Sequence, residues 1–337
     1  MEKLEACLIV TYRCNARCNM CSTWQYPSKR NEEFPPNLVD KIPSGLKFVN
    51  ITGGEPFLRD DLDQIINIAL KKTKRLVIST NGYFTEKIVK ISEKYRNKIG
   101  IRISIEGLPA ANDELRGIKD GFDHGLRTLL TLYDRGIKDI GFGITVSDRN
   151  AKDMIELYRL ANAMNVEFAT ATTHNSYYFH KHDNRFEDAE MVAGEFEKLA
   201  GELLKTNRPK NWFRAYFNMG LANKVRGNGR PLPCEAGTDV FFLDPYGNII
   251  PCNGSEKPMI MGNLNEQTFD EIWNSKTANE IREYVKNCSN QCWMIGSVSP
   301  AMKKRLWIPA LWIVKNKLKL MYQREKPVNM DSVGNKF

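Results

Sequence analysis

The chain has 337 residues, 42% of them hydrophobic and 26% charged, with 8 cysteines and a net charge of +9. That length is enough to bury a sizeable core in one large domain, or in a large and a small one, and the composition excludes a fibrous or disordered chain. The charge is uneven: residues 303–326 hold eight basic side chains against Glu325 alone, so the remainder is close to neutral and a general nucleic-acid-binding surface is excluded.

No apolar run reaches the roughly 18 residues a spanning helix needs. The opening MEKLEACLIVTYRC lacks the basic-then-apolar layout of a secretion signal. In a cytosolic-type chain of this length, cysteines point to metal binding before disulfides. Residues 6–12 form a short apolar, β-branched run and read as a buried strand. It delivers Cys14, Cys18 and Cys21 in the spacing C-x3-C-x2-C. Three thiolates this close converge on one centre only if the chain wraps round it as a loop. A structural zinc normally wants four protein ligands, whereas a cubane held by three thiolates keeps one iron open.

Further strands are predicted at 47–52, 75–80, 100–105, 140–146 and 166–171, alternating with helices at 61–71, 85–95, 121–135 and 151–165. Such a rhythm calls for parallel βαβ units, whose ligands sit at the C-terminal ends of the strands. The polar residues obey that rule. Gly53, Gly54, Glu55 and Pro56 follow the second strand, Asn81 and Gly82 the third, Ser104 and Glu106 the fourth, Ser147 and Asn150 the fifth. Taken alone, the Gly53–Pro56 stretch also reads as a turn carrying a solvated acid, and Arg116 as an ordinary ion-pair partner. His174 follows the sixth strand and is placed for substrate binding or proton transfer. The stretch 211–216 is aromatic-rich and reads either as a lid, with Arg214 meeting an acidic substrate, or as packing against the barrel.

Cys234, Cys252, Cys288 and Cys292 form a second set. A hairpin at 240–250 brings the first two together, and a helix predicted over 270–285 delivers the others. Four thiolates fully ligate one 4Fe–4S cluster or one zinc. Cys7, inside the first strand, is left as a small core residue. In the tail, Trp307, Leu311, Val314, Leu318 and Met321 recur at helical spacing among lysines. A basic amphipathic helix of this kind lies on an anionic membrane surface or packs on the barrel. Residues 325–337 read as a flexible end.

The loop YRCNARC, its preceding aliphatic run and the Gly53–Pro56 motif resemble the radical S-adenosylmethionine (SAM) enzymes. The spacing C-x12-G-x4-C from Cys234 through Gly247 to Cys252, together with 261–264 and 271–273, resembles their SPASM/twitch extension. The four cysteines depart from the seven of a full SPASM pattern. The resemblance implies an α/β fold: a partial (β/α)6 TIM-like barrel over 1–225, a small auxiliary-cluster domain over 226–300 and a helical tail over 301–337. It implies two 4Fe–4S clusters and SAM as cofactors, with Cys14, Cys18 and Cys21 on the first and Cys234, Cys252, Cys288 and Cys292 on the second. Gly53, Gly54, Glu55, Pro56, Ser104, Glu106, Arg116, Ser147 and Asn150 then face SAM. The reaction implied is formation of a 5′-deoxyadenosyl radical and abstraction of a substrate hydrogen. A fully ligated second cluster accepts an electron, so oxidation of an alcohol or sugar-like small molecule is expected, with epimerisation or peptide modification as the alternatives. Nothing in the chain resembles a leader-peptide-binding domain. The expected partners are a flavodoxin- or ferredoxin-type reductant and a peripheral membrane contact through the tail. The expected location is the reducing cytoplasm, at the inner membrane face if the tail binds lipid.

Overall fold

A computed structural model describes residues 4–323. The flexible end expected at 325–337 lies outside them. Six strands run parallel: β1 (Glu5–Ile9), β2 (Phe48–Thr52), β3 (Leu76–Thr80), β4 (Ile99–Ser104), β5 (Ile140–Val146) and β6 (Glu167–Thr172). Their β-branched and aromatic residues suit a pleated, buried surface. Val49, Ile51, Leu76, Ile78, Ile101 and Phe142 have no solvent exposure. Helices cover the sheet between strands: α1 (Leu62–Lys72), α2 (Thr85–Lys94), α3 (Pro109–Arg116), α4 (Gly121–Asp134) and α5 (Met154–Ala163). The short α3, opened by Pro109 and closed by the left-handed Gly117, is absent from the sequence expectation.

Past β6 come two long helices, α6 (Ala189–Lys205) and α7 (Pro209–Val225), packed on each other. The aromatic stretch 211–216 lies inside α7 and is not a lid. Trp212 donates its indole N–H to the Thr206 carbonyl at 2.6 Å and carries the Lys317 ammonium over its ring at 3.9 Å. Arg214 pairs with Glu167, so its charge is already used within the fold.

The chain then returns to the β1 edge. Strand β7 (Val240–Leu243) pairs parallel with β1, and β8 (Asn248–Ile250) and β9 (Gly262–Asn263) continue antiparallel. The expected hairpin forms as predicted. Asp244 accepts from the backbone N–H groups of Tyr246 and Asn248, each at 2.9 Å, and Gly247 adopts a positive φ of 88°. The sheet order is β6-β5-β4-β3-β2-β1-β7-β8-β9. The result is a partial TIM-like barrel, open along the β6 side and prolonged past β1 by the C-terminal region.

The single helix expected over 270–285 is two helices, α8 (Phe269–Trp273) and α9 (Lys276–Lys286). Thr268 and Glu271 form a capping box for the first, and Ser275 caps the second by accepting from the Ala278 N–H at 3.0 Å. The tail likewise splits into α10 (Ile295–Lys304) and α11 (Trp307–Gln323).

Trp293 locks this return to the barrel. It is 1% exposed, and its indole N–H donates to the Phe217 carbonyl at 2.9 Å. Its ring lies against Gly220, where a Cβ would come within 2.2 Å of ring atoms. Gly220→Ala is therefore expected to overpack the α7–Trp293 contact and cost about 1–3 kcal/mol. Denaturant unfolding checks this, and an unchanged midpoint contradicts it.

Candidate functional site

The cysteine loop rises from the C-terminal end of β1 and is held from several sides through its backbone. Gly54 donates its N–H to the Thr11 carbonyl at 2.7 Å, and Glu55 donates to the Arg13 carbonyl at 2.8 Å. This approach needs glycine, since a Cβ on Gly54 would sit 2.2 Å from the Arg13 carbonyl oxygen. On the far side, the last turn of α3 presents carbonyls that lack helical partners. Arg116 O accepts from the Arg17 N–H at 2.9 Å and Leu115 O from the Asn19 N–H at 2.8 Å. Gly117, with φ of 53°, lets the loop come this close, since a Cβ there would lie 2.6 Å from Arg17 O. Asn81 donates to the Asn15 side-chain carbonyl at 2.7 Å, and Asn184 to Met20 O at 3.1 Å.

Beneath the loop lies a charged lock that the sequence did not reveal. Glu33 accepts from the Arg13 guanidinium at 2.8 and 2.9 Å, from Ser28 Oγ at 2.7 Å and from the Thr11 hydroxyl. The Arg13 bonds, with those from Thr11 and Ser28, hold its carboxyl below the usual range against the opposing effect of burial.

Glu55 is fully buried and is not a solvated acid. Its carboxylate accepts from the Thr80 hydroxyl at 2.8 Å, the Asn81 N–H at 2.7 Å and the Phe57 N–H at 3.1 Å, tying the end of β2 to the end of β3. Burial raises its pKa, and these three bonds work against that rise. Glu106 is likewise buried, with its pKa raised by burial, and it pairs with Arg116 at 3.1 Å. Arg116 is thus an ion-pair partner, and a buried one. Its buried guanidinium faces Cys18, Glu106, Cys14 and Glu55 together, and those neighbours outweigh the effect of burial and keep it firmly charged. Asn150 is also buried. It donates to the carbonyls of Glu106 at 2.7 Å and Thr145 at 2.9 Å, and accepts from the Ser147 N–H at 2.7 Å. Ser147 and Asn150 therefore engage each other and the backbone, while Ser104 stays half-buried at the end of β4 and Pro56 is buried beside Glu55.

All eight cysteines are free thiols. Burial pushes Cys14 up to about 12 and also raises Cys18, with Arg116 drawing both back down. Such thiols give up their protons to a metal centre. The same holds for the second set. Burial, with Cys292, Cys234 and Cys288 close by, pushes Cys252 up to about 12. Among the described residues, no three Cys, His, Asp or Glu side chains close on a single-ion site. Mutually close free thiols, three in one group and four in the other, fit cubanes whose ligands sit on separate irons.

His174 stands beside the second group. It packs against Phe179 with centroids 5.3 Å apart and against Gly254, two residues past Cys252. Its Nε2 is buried without a hydrogen-bond partner. Burial and the Lys224 charge lower its pKa to about 4, so the imidazole is neutral near pH 7. Lys224, at the end of α7, is a site residue that sequence patterning did not single out. It donates to Thr172 Oγ1 at 2.7 Å and Thr173 O at 3.1 Å, at the end of β6.

Residues 8–161 match the family model of the radical SAM superfamily, and residues 234–293 match SPASM, an iron–sulfur cluster-binding domain. The chain is a radical SAM enzyme. Its first cluster is a 4Fe–4S centre that works with SAM, and its SPASM domain binds further iron–sulfur. The enzyme is 26% identical over 301 residues to the pre-heme d1 synthase of Dinoroseobacter shibae, covering 78% of this chain and 71% of that protein. It is 26% identical over 283 residues to the mycofactocin maturase MftC of Mycolicibacterium smegmatis, covering 81% and 71% respectively. Its fold resembles Streptococcus suis SuiB bound to S-adenosylmethionine, with a TM-score of 0.64, 18% identity and coverage of 83% of this chain and 68% of that one.

The buried His174 of this radical SAM enzyme gives a pH signature. Its pKa is depressed from 6.5 to about 4 on folding. The unfolded chain binds the proton first, so stability is present above pH 6.5 and declines as pH falls toward 4. His174→Gln is expected to flatten that decline by roughly 3 kcal/mol, read from denaturant unfolding across the window. An identical slope in wild type and variant contradicts the assignment.

Proposed function

We propose that this radical SAM enzyme modifies a peptide by removing a hydrogen atom from an unactivated carbon and completing the change oxidatively. Support comes from one arrangement: two groups of free cysteines on one chain, with the buried, unpartnered Nε2 of His174 beside Gly254, two residues past Cys252 of the second. The span of similarity to a maturase adds to it. SuiB, whose fold this chain shares, has been seen with its precursor peptide SuiA. These relatives lend no support to the alcohol or sugar-like substrate expected from the sequence. The pre-heme d1 synthase similarity favours a second reading, in which the modified carbon lies on a tetrapyrrole side chain.

In this proposal Cys14, Cys18 and Cys21 hold the first cluster and leave one iron for SAM. Gly53, Gly54, Glu55, Pro56, Ser104, Glu106, Arg116, Ser147 and Asn150 build the SAM cradle. Glu55 and Asn150 do so by fixing strand ends, and Arg116 by setting a positive charge beside the thiolates. Cys234, Cys252, Cys288 and Cys292 hold the second cluster. Bound here, these groups supply a hydrogen-abstracting radical and a one-electron acceptor. His174 supplies the base, its neutral, unpartnered Nε2 taking the proton that leaves the oxidised carbon. The barrel then spans 1–225, the auxiliary domain 226–300 and the tail 301–337. A flavodoxin or ferredoxin in a reducing cytoplasm provides electrons.

Anaerobic incubation with dithionite and SAM tests this. 5′-Deoxyadenosine should form in wild type and fall to background in Cys14→Ala, with roughly eight irons per wild-type chain and roughly four after loss of the second cysteine set. A peptide encoded beside the gene should lose the mass of two hydrogen atoms. Turnover of a porphyrin instead selects the second reading, and no 5′-deoxyadenosine overturns both.

The tail supports a location. On α11, Trp307, Leu311, Val314, Leu318 and Met321 are between 47% and 73% exposed, while Trp312 and Ile313 on the opposite face are buried. The helix therefore packs on the barrel while the apolar stripe stays largely exposed. Lys315 and Lys319 accompany the stripe, and no acid lies on the helix. Among the described residues no helix is long and apolar enough to cross a membrane. The stripe offers on the order of 500 Å², less than the roughly 800 Å² per partner of a stable dimer. We propose that this face lies on an anionic membrane. Wild type should float with anionic vesicles and not with neutral ones, and Leu311→Asp with Val314→Asp should abolish flotation. Flotation unchanged in that variant, or dimerisation in place of flotation, contradicts the proposal.

A further inference from the structure

Lys224 and Arg230 both lie close to the second cysteine set, and neither meets a carboxylate among the described residues. Lys224 has only the Thr172 hydroxyl and the Thr173 carbonyl. Arg230 donates to the carbonyls of Leu232 at 2.9 Å, Pro233 at 3.2 Å and Cys292, and to Ser297 Oγ at 3.4 Å, with its guanidinium 5.6 Å from the Trp293 ring centroid. Every one of these acceptors is neutral.

Of the other cations in this region, Arg282 donates only to the Gly237 and Trp273 carbonyls and the Asn279 side chain, and two are compensated. Arg305 pairs with Glu235 at 3.0 Å and Lys286 with Glu283 at 2.5 Å. Within the barrel, Arg13, Arg59 and Arg116 pair with Glu33, Asp61 and Glu106. A part-buried cation without a counter-charge is costly, and this fold carries two at one place. His174 beside Lys224 is neutral and supplies no compensation. Arg230 holds the Cys292 carbonyl and the Pro233 carbonyl beside Cys234, and Lys224 holds the carbonyl of Thr173 beside His174, whose ring lies by Gly254, two residues past Cys252.

We infer that Lys224 and Arg230 are the built-in counter-charges of the auxiliary cluster and raise its reduction potential. The inference rests on the assignment of Cys234, Cys252, Cys288 and Cys292 to that cluster. A cubane held by four thiolates is a net anion and becomes more negative when it takes an electron. Fixed positive charges in a poorly solvated setting favour the reduced form more than the oxidised one. Lys224 reaches the centre from the barrel side, through α7 and the end of β6. Arg230 reaches it from the auxiliary side. The two thereby tune the centre as an electron acceptor while binding neither SAM nor iron.

The test is a potentiometric titration of the anaerobically reconstituted full chain, followed by electron paramagnetic resonance. Lys224→Gln and Arg230→Gln should each make the auxiliary midpoint more negative by about tenfold in the reduction equilibrium, about 59 mV for one electron. The barrel cluster should not move. Lys224→Arg and Arg230→Lys should restore the wild-type midpoint, which separates charge from packing. Midpoints within about threefold of wild type in both Gln variants would overturn the inference. A wild-type chain with no second cluster signal overturns the cysteine assignment beneath it, and is distinguishable because no auxiliary midpoint then exists to shift.

Discussion

A loop that offers three thiols to one centre cannot use those side chains to hold itself in place. The grip must come through its backbone, and that requirement shapes the barrel mouth. Gly54 and Glu55 take the carbonyls of Thr11 and Arg13, and the last turn of α3 takes the N–H groups of Arg17 and Asn19. Both contacts bring backbone against backbone, and both depend on a residue without a Cβ, Gly54 on one side and Gly117 on the other. The buried carboxylates serve the same end. Glu33 secures the root of the loop and Glu55 joins two strand ends, so the thiols are held by groups that are themselves held.

Charge is arranged around this frame by the same logic. Arg116 is buried beside the first thiols but paired with Glu106. Lys224 and Arg230 flank the second set without acids. The first cation is balanced within the protein, and the other two are left for what the cysteines bind. His174 lies beside the second set, kept neutral by burial and by its cationic neighbour.

The barrel was largely legible from the amino-acid sequence because each β-branched run is followed at once by polar residues, and a parallel βα fold places those at one end of the sheet. The two cysteine groups were legible from spacing alone. The finer roles were not. Glu55 reads along the chain as an acid in a turn, and its burial depends on Thr80 and Asn81 from another strand. Glu33 carries no motif, and its four bonds come from Thr11, Arg13 and Ser28. Lys224 and Arg230 look like ordinary surface cations until α7 folds back on β6. The break between α8 and α9 had a local signal in Thr268, Glu271 and Ser275, which amphipathic spacing across the break concealed. The apolar stripe of α11 was visible, but only packing shows that the opposite face meets the barrel.

The central claim is that the first cysteine group leaves an iron open for SAM while the second group is closed. Electron paramagnetic resonance of the reduced two-cluster protein, recorded with and without SAM carrying a labelled amino nitrogen, tests it most directly. The account predicts that one cluster signal changes and shows coupling to the labelled nitrogen while the other stays as it was. Two unchanged signals, or coupling at the cluster held by Cys234, Cys252, Cys288 and Cys292, would contradict it.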